Sequence, residues 1–294
     1  MSSVDTGAFG RPTPRLRRRK LVNRLMETLA SIAALLAVAV LVVVVVSVLR
    51  RGAGALSLDF FTKTPAAFGA SGGGLANSFV GSLVLVGIAT AMALPAGVLI
   101  AIFVSELAPR RLADAIRLSL DVINGIPSIV IGIFVFELLV LGHRQSGWAG
   151  SVALAIIMLP LISRSTQEVL RLVPSSLREA GLALGVSRWR TVLGVVLPSS
   201  LGGVLTGTTL AVARAAGETA PLLFTTSLTS SLVTASPSQA LQSVPLSIFE
   251  LSESPDPADH ARAWAAAFVL MLFVLMTSLL SRALLARSRR KLGR

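Results

Sequence analysis

The stretch EAGLALGVSRWRTVLGVVLP, residues 179–198, lies between two long apolar runs of a chain that is itself mostly apolar. It carries one Glu, two Arg, one Trp, three Gly and a terminal Pro. The glycines and the proline interrupt any long regular element here. Such a half-polar stretch predicts a short structured loop between two membrane segments, so its flanks decide what it does.

The composition of the whole chain is that of a membrane protein. Of its 294 residues, 53% are hydrophobic and 14% are charged, whereas soluble domains carry roughly 25% charged residues. The net charge is +13, but the basic residues flank apolar runs and form no basic domain, which argues against nucleic-acid binding. With no Cys and two His, the chain has no disulfide framework, thiol nucleophile or His/Cys metal cluster.

Six apolar runs are candidates for membrane-spanning helices. They lie at residues 29–49, 78–104, 121–141, 148–163, 199–224 and 264–286. A helix needs about 20 apolar residues to cross roughly 30 Å of hydrocarbon, and most of the runs are long enough; the short fourth run needs the polar residues after it. We therefore predict an all-α, polytopic membrane bundle with six transmembrane helices.

The distribution of Lys and Arg predicts the orientation of these spans. Segments 11–24, 105–117 and 164–198, together with the tail after residue 281, carry 21 of these residues, and the segments on the other side carry five. Because positive residues favour the cytoplasmic side, both termini are predicted to be cytoplasmic and residues 225–263 to lie outside. The run 29–49 exceeds the apolar part of a signal peptide and is predicted to be a retained span.

The opening stretch is predicted to begin with an amphipathic helix over residues 176–186. Leu177, Ala180 and Leu184 share one face at spacings of three and four, and Gly185 ends the helix. Pro198 falls at the start of the fifth span, where proline is tolerated. Two interpretations stay open from the residues alone: a helix that docks in a groove of a soluble partner, or one that lies on anionic lipid.

Seven positions of this stretch resemble the EAA loop of ABC-importer permeases. They are Glu179, Ala180, Gly181, Gly185, Val195, Leu197 and Pro198. The spacing of the family pattern matches throughout, with Gly181 in place of its third-position Ala and Val195 in place of its Ile. The resemblance implies that this helix seats in a cleft of a cytoplasmic ATPase and transmits the motion of that ATPase.

A narrower resemblance is to phosphate-specific (Pst) ABC-importer permeases of the PstA type. It rests on DVINGIPSIVIGIF (121–134), LALGVSRWRTVLGVVLP (182–198), ARAAGETAPLLF (213–224), SVPLSIFELS (243–252) and HARAWAAAFVLML (260–272). Its most specific part is Gly-Glu-Thr-Ala-Pro, residues 217–221, which favours the PstA type over the PstC type. The resemblance implies a type I ABC importer permease of the bacterial inner membrane, forming half of a pathway for inorganic phosphate.

The same resemblance implies three partners besides the lipid bilayer: a PstC-type permease, a PstB-type ATPase dimer and a PstS-type phosphate-binding protein. The chain contains no G-x-x-x-x-G-K-[ST] phosphate loop. ATP and Mg²⁺ are therefore expected on the partner ATPase, with no cofactor, metal site or catalytic residue on this chain, which is predicted to be a transport subunit and not an enzyme.

With the resemblance, the chain divides into four predicted segments. Residues 1–27 are a basic cytoplasmic segment, and residues 28–56 hold the first transmembrane helix and the start of the outer loop. Residues 57–286 are the permease core, with five further spans and the cytoplasmic coupling loop 164–198. Residues 287–294 are a basic cytoplasmic tail.

Two charges in the fifth span are candidates for the substrate pathway. Arg214 lies about 24 Å along the predicted helix from Pro198, and Glu218 follows four residues later. A charged side chain is costly in the bilayer and normally faces a cavity or a partner, and the planar Arg fork suits a tetrahedral oxyanion. The alternative is a self-neutralising structural pair. Thr219 offers a hydroxyl, and the resemblance adds Arg164, which also fits an ordinary cytoplasmic flank.

Other functions remain open at this stage. A permease for sulfate, molybdate or phosphonate would use a similar Arg, so only residues 217–221 argue against it. An ATP-independent channel or carrier would work without any ATPase subunit. A membrane enzyme is disfavoured because the spans hold no His, Cys or paired carboxylates at catalytic spacing.

Overall fold

The computed structural model describes residues 14–66 and 72–292, and within them the chain is helical without a β-strand. The predicted all-α class is confirmed. The predicted basic head and tail lie partly outside the described residues, at 1–13 and 293–294. The chain divides into two compact units, residues 1–50 and 51–294, which are described separately.

The first unit is dominated by one long helix, α1, at Pro14–Gly52. Its 39 residues extend for about 58 Å and include the whole apolar run 29–49. Large apolar side chains are exposed along its length, with Leu35, Val40 and Val43 each more than half exposed. A helix that is apolar on all sides is typical of a membrane span, as predicted for this run.

Helices of the length and composition of a membrane span recur through the described part of the chain. Five such helical stretches occur, at Arg18–Ala55, Ala76–Leu107, Gly147–Arg171, Arg188–Ala216 and Pro257–Ala283. They match five of the six predicted spans. A sixth crossing exists only if a sharply bent pair of helices is counted as one span.

The third predicted span, 121–141, is broken at the proline of its NGIPS segment and is not a single helix. The chain forms α4 at Arg110–Gly125 and α5 at Ser128–Leu139, bent by 98° at the break between them. The cause is Pro127, because a residue that precedes proline is disfavoured in the α region, and Ile126 is extended with ψ 131°. At 12 residues, α5 alone reaches about 18 Å, which is short of a full crossing.

The fourth predicted span is completed by polar residues, as expected. Helix α6 runs from Gly147 to Arg171, eight residues past the apolar run. Thr166 and Gln167 in this extension, and Ser163 just before it, are buried against protein. The Ser163 hydroxyl donates a hydrogen bond of 2.9 Å to the Gly97 carbonyl on α3 (Ala76–Ile102), whereas the Thr166 hydroxyl has no hydrogen-bond partner among the described residues.

The core of the second unit lies among α3 (Ala76–Ile102), α6, α9 (Leu197–Ala216) and α12 (Pro257–Leu292). Its central cluster includes Leu85 and Ala89 of α3, Leu154 and Met158 of α6, and Ala211 of α9, all essentially buried. Small residues allow the helices to approach closely, which in lipid replaces the hydrophobic force that joins helices in water.

The end of the bundle that the distribution of Lys and Arg predicts to be non-cytoplasmic is covered by short helical elements. They are a 3₁₀ turn at Ala53–Ala55, α2 at Leu58–Thr62 and α11 at Val244–Ser252. A polar network ties α11 and the loop before it to α3: the Asn77 amide donates to Gln242 at 2.6 Å, and the Gln242 amide donates to Glu250 at 2.6 Å. Ser78 and Ser247 join hydroxyls at 2.6 Å. This network holds the loop 225–243 against the core.

Candidate functional site

The regular helix of the fifth predicted span ends between its two charged residues, Arg214 and Glu218. Helix α9 stops at Ala216, and regular helix resumes only as the four-residue α10, Leu222–Thr225. The fifth predicted span, 199–224, is therefore not one continuous helix. The reason is Pro221, whose ring would clash with the Gly217 carbonyl and which has no amide hydrogen to donate.

Arg214 pairs with Glu218 across this helix end. The distance from Arg214 Nε to Glu218 Oε1 is 3.7 Å, whereas a charge-assisted hydrogen bond is about 2.7–2.9 Å. The Arg214 side chain is 53% exposed and the Glu218 side chain 17%. Among the described residues the guanidinium makes no hydrogen bond, so its paired donors are available to another ligand.

Thr219 lies at the turn between α9 and α10. Its carbonyl accepts the amides of Leu222 at 3.1 Å and Leu223 at 3.2 Å, which starts α10. The residue is half-buried. A role of its hydroxyl in the substrate pathway stays a prediction.

The turn after α9 packs on α5, the second helix of the broken third span. Pro221 lies so close to α5 that a Cβ atom on Gly132 would be 2.6 Å from the Pro221 Cα. The Thr225 carbonyl accepts the Ser146 amide at 3.2 Å, at the start of α6. Non-helical backbone at membrane depth is tolerated only where it is buried in protein or lines a water-filled cavity. The turn around Pro221 is therefore covered by α5 and by the start of α6.

Arg164 lies inside α6, directly after the predicted span 148–163. The helix continues for about two turns beyond it to Arg171, and the position of Arg164 at the cytoplasmic end of the span stays a prediction. Arg164 forms an ion pair with Asp121 of α4, and the two side chains are 44% and 48% exposed. This pair ties the first part of the broken third span to α6.

The packing of α6 on α9 sets the separation of the two arginines. The helices run antiparallel, and Gly207 of α9 lies directly against Ser165 of α6. Arg164 is therefore level with Gly207, and Arg214 lies seven residues, or about 10 Å, farther along α9. A groove of about 450 Å³ is lined by Ser165, Leu210 and Ser278, and by neither of the two arginines. The structure thus places the two arginines about two turns apart along one helix pair.

The opening stretch forms two helical segments joined by a turn. Helix α7 spans Ser175–Ala183, which confirms the predicted helix over 176–186 with an earlier end. Gly185 has φ +74°, a left-handed conformation that favours glycine and ends the helix as predicted. Helix α8, Arg188–Thr191, then continues through a π-helical turn, Val192–Val196, into α9.

The coupling residues divide between an outer and an inner side of α7. Glu179 and Ala180 are exposed, and Gly181 is buried. The predicted apolar face is exposed as well, with Leu184 at 83%. Exposed apolar side chains next to a carboxylate fit a docking surface on α7. The residues of α7 that pack toward the core are small or charged.

Leu197 and Pro198 begin α9 at the end of the core that is predicted to be cytoplasmic. Leu197 is half-buried against the cluster that includes Val192 and Val196, and Pro198 lies in the first turn of α9, as predicted. Proline cannot donate to the carbonyl four residues earlier, and the preceding π-helical turn accommodates this missing bond.

Gly181 permits a close approach that its family counterpart would not. A Cβ atom there would lie 2.5 Å from Thr191 Cγ2 and 2.6 Å from Thr191 Oγ1. The departure from the Glu-Ala-Ala pattern is therefore matched by a threonine on α8 that fills the space.

Two acidic residues of this region have no distinguishing pattern in the sequence. Asp121 is a lone carboxylate near the end of α4, and Glu106 is a lone carboxylate in the π-helical turn Phe103–Leu107 that ends α3. In the sequence, each of these residues only follows or begins an apolar run. Many charged residues that flank membrane spans do the same, so the sequence does not single them out. No metal-binding group of three or more His, Cys, Asp or Glu lies among the described residues.

Comparisons with known proteins agree with this arrangement. Residues 93–290 match the model of the family described as binding-protein-dependent transport system inner membrane component. The phosphate transport system permease protein PstA of Yersinia pestis is 37% identical over 273 residues, covering 92% of each chain. PstA of Xylella fastidiosa is 39% identical over 277 residues, covering 93% of this chain and 96% of the relative.

A solved structure shows the same fold at low sequence identity. A chain of the MetNI methionine ABC transporter, solved in inward-facing conformations, superposes with a TM-score of 0.53 at 17% identity. The match covers 71% of this chain and 94% of that chain. The helical bundle thus has the fold of an ABC transporter permease, and the two PstA relatives share more than a third of the aligned residues with this chain. The chain belongs to the PstA family of phosphate transport system permease proteins, within the binding-protein-dependent transport system inner membrane components.

Proposed function

We propose that this chain is the permease subunit of an ATP-driven importer of inorganic phosphate in the bacterial inner membrane, with both termini cytoplasmic. The observation that carries the proposal is the half-exposed Arg214 at the broken end of α9. Membership in the PstA family supports phosphate as the substrate.

The chemistry of the Arg214–Glu218 pair suits a transported oxyanion. A guanidinium offers paired donors in a plane, which match two oxygens of a tetrahedral anion. A pathway must release its ion as well as bind it, and Glu218 at 3.7 Å weakens the grip by competing for the same group. Arg164, about 10 Å nearer the predicted cytoplasmic side and half-exposed beside Asp121, would provide a second position for the anion.

The exposure of Arg214 supports a pathway made by two permeases. Leu210 lies one turn before Arg214 on the same face of α9 and is 67% exposed. A guanidinium next to it would be costly if the face met lipid chains. A second, PstC-type permease that covers this face would supply the other wall of the pathway.

Energy for transport would enter through α7. A PstB-type ATPase dimer, holding ATP and Mg²⁺, would seat the exposed Glu179–Ala180 end of this helix in a cleft and displace it. A PstS-type binding protein would deliver phosphate at the outer end. Alternating access then follows: the bundle opens outward on ATP binding and resets after hydrolysis.

Transport in proteoliposomes tests this proposal. The chain, co-purified with its own ATPase and second permease, should take up labelled phosphate with ATP, and excess sulfate, molybdate or phosphonate should compete poorly. Uptake of one of those anions in preference to phosphate would favour the rival oxyanion function. Uptake that persists without any ATPase subunit would favour a channel or carrier.

A further inference from the structure

A buried ion pair joins the coupling helix to the core, away from the proposed anion pathway. Arg178 lies on α7, next to Glu179 of the coupling motif. Its Nη2 donates to Glu106 Oε1 at 2.7 Å, and its Nε donates to Glu106 Oε2 at 3.0 Å. The Glu106 side chain is only 5% exposed. This is the fork-to-fork geometry that gives an Arg–carboxylate pair a fixed orientation.

The same guanidinium also binds the end of a second core helix. Arg178 Nη1 donates to the Val173 carbonyl at 2.7 Å, and Nη2 donates to the Leu170 carbonyl at 2.8 Å. These carbonyls belong to the last turn of α6 and the residues after it, where backbone acceptors lack helical partners. A cation at a helix C-terminus is also favoured by the helix dipole. Each guanidinium nitrogen is thus engaged by the core.

The carboxylate is held in place by an unusual backbone. Glu106 lies in the π-helical turn Phe103–Leu107, closed by a bond of 2.7 Å from the Ala108 amide to the Phe103 carbonyl. Such turns widen a helix and redirect its side chains, and they occur frequently at functional sites. Ile102 of α3 and Leu170 of α6 are buried together in one apolar cluster at these helix ends.

Adjacent residues of α7 therefore face in different directions. Glu179 is exposed, whereas Arg178 is directed into the core, as expected for neighbours about 100° apart on a helix. A force applied to the exposed side of α7 reaches α3 and α6 through Arg178. Apolar contacts alone would let the helix slide, but a bidentate pair with two further carbonyl bonds resists both sliding and rotation.

We propose that the Arg178–Glu106 pair is the joint through which displacement of α7 moves α3 and α6. The inference rests on the proposed ATP-driven transport. Both are positioning residues, because neither would touch phosphate or ATP. The joint would make α7 and the inner ends of α3 and α6 move as one rigid body during the cycle.

The test removes the joint without leaving a buried charge. In the double variant Arg178→Gln/Glu106→Gln both charges are lost, so we expect the chain to insert and to retain its ATPase. ATP hydrolysis should continue, while the phosphate imported per ATP hydrolysed should fall at least tenfold. The single variant Arg178→Lys keeps the charge but loses the fork, and its ratio should fall to a lesser degree. The matched control, Asp59→Asn/Lys63→Gln, removes an exposed ion pair of 2.7 Å at α2 that contacts neither α7 nor the turn holding Glu106, and it should leave the ratio unchanged.

A second readout does not depend on the identity of the substrate. Spin labels on Ser176→Cys in α7 and Leu99→Cys in α3 can be placed cleanly because the chain has no Cys. In the otherwise wild-type complex their distance should stay constant between nucleotide-free and vanadate-trapped states. In the double variant it should change or broaden. A distance that stays constant in the double variant, or an unchanged transport ratio in both variants, would overturn the joint. Failure of the wild-type complex to import phosphate would instead refute the proposed function and leave the distance test in force.

Discussion

Arg214 and Glu218 form an ion pair across the point where α9 ends, with 3.7 Å between Nε and Oε1. A continuous helix would have placed the two side chains one above the other on a regular surface. The break at Gly217–Pro221 instead puts Glu218 in a turn that packs on α5. The looseness of the pair leaves the guanidinium of Arg214 without a close partner, and the proposed contact with an anion rests on this.

Removing both charges separates a transport role from a structural role. We expect Arg214→Gln/Glu218→Gln to assemble but fail to import phosphate, because no unpaired charge remains and the anion loses its donors. Arg214→Lys should reduce uptake by about tenfold or more, as expected for loss of one hydrogen bond to a charged group. Uptake of labelled phosphate in vesicles measures this, with Arg144→Gln in the exposed loop before α6 as control. Normal uptake by the assembled double variant would reduce the pair to a structural one.

Reversing the exposed charge of α7 should weaken the ATPase contact. In Glu179→Lys, the chain should insert normally, yet retain less ATPase through detergent purification or hydrolyse ATP without transport. Asp114→Lys reverses another carboxylate, 70% exposed on α4, and should not have this effect. The ratio of ATPase to permease in the purified complex is the measurement. Full retention together with normal uptake would contradict a coupling role for Glu179.

Restoring the family residue at position 181 should be harmful in this chain. The added methyl group of Gly181→Ala meets Thr191 at 2.5 Å, and overpacking of this kind costs about 1–3 kcal/mol. Thermal unfolding in detergent should show a lower Tm, and the further change Thr191→Ala should recover part of the loss. Gly194→Ala is the matched control, because a Cβ there meets no atom within 4 Å. An unchanged Tm for Gly181→Ala would show that α7 and α8 separate easily.

Glu250, in the predicted outer segment, should make stability depend on pH. Burial raises the pKa of its carboxyl above 4.5, with Asp259 adding to the rise and the Gln242 hydrogen bond opposing it. A raised pKa means that the folded state prefers the protonated carboxyl. The contribution of Glu250 to stability is therefore fully present below its ordinary pKa, and it is lost as the pH rises through the pKa of the folded state. Glu250→Gln should therefore raise Tm at pH 7, and the gain should shrink toward pH 4. The exposed Glu253→Gln is the control; a lower Tm for Glu250→Gln at every pH would contradict the argument.

Orientation can be tested with single cysteines in this Cys-free chain. The exposed Ser238→Cys should react with an impermeant thiol reagent applied from outside to intact cells, because residues 225–263 are predicted to be external. The exposed Ser176→Cys on α7 should react only after permeabilisation. The opposite labelling pattern would invert the predicted topology.

The sequence alone was sufficient for features that depend on local pattern. Apolar runs of about 20 residues predict spans, because backbone polar groups must be satisfied internally in lipid. The spacing of Glu179, Gly185 and Pro198 likewise predicts a helix, a break and a return to a span, and the structure has all three. The PstA-type resemblance, confirmed by the relatives, also came from short contiguous stretches.

Only the tertiary structure decided which distant residues meet. Two prolines, Pro127 and Pro221, interrupt predicted spans, but proline is also tolerated in membrane helices, so the breaks could not be read from composition. Glu106 and Arg178 are 72 positions apart, and as single charges each resembles an ordinary flanking residue. Their pairing depends on a π-helical turn and on the packing of three helix ends. Such contacts are set by helix crossing and not by local sequence, which is why the anion candidates came from sequence and the joint of the coupling helix did not.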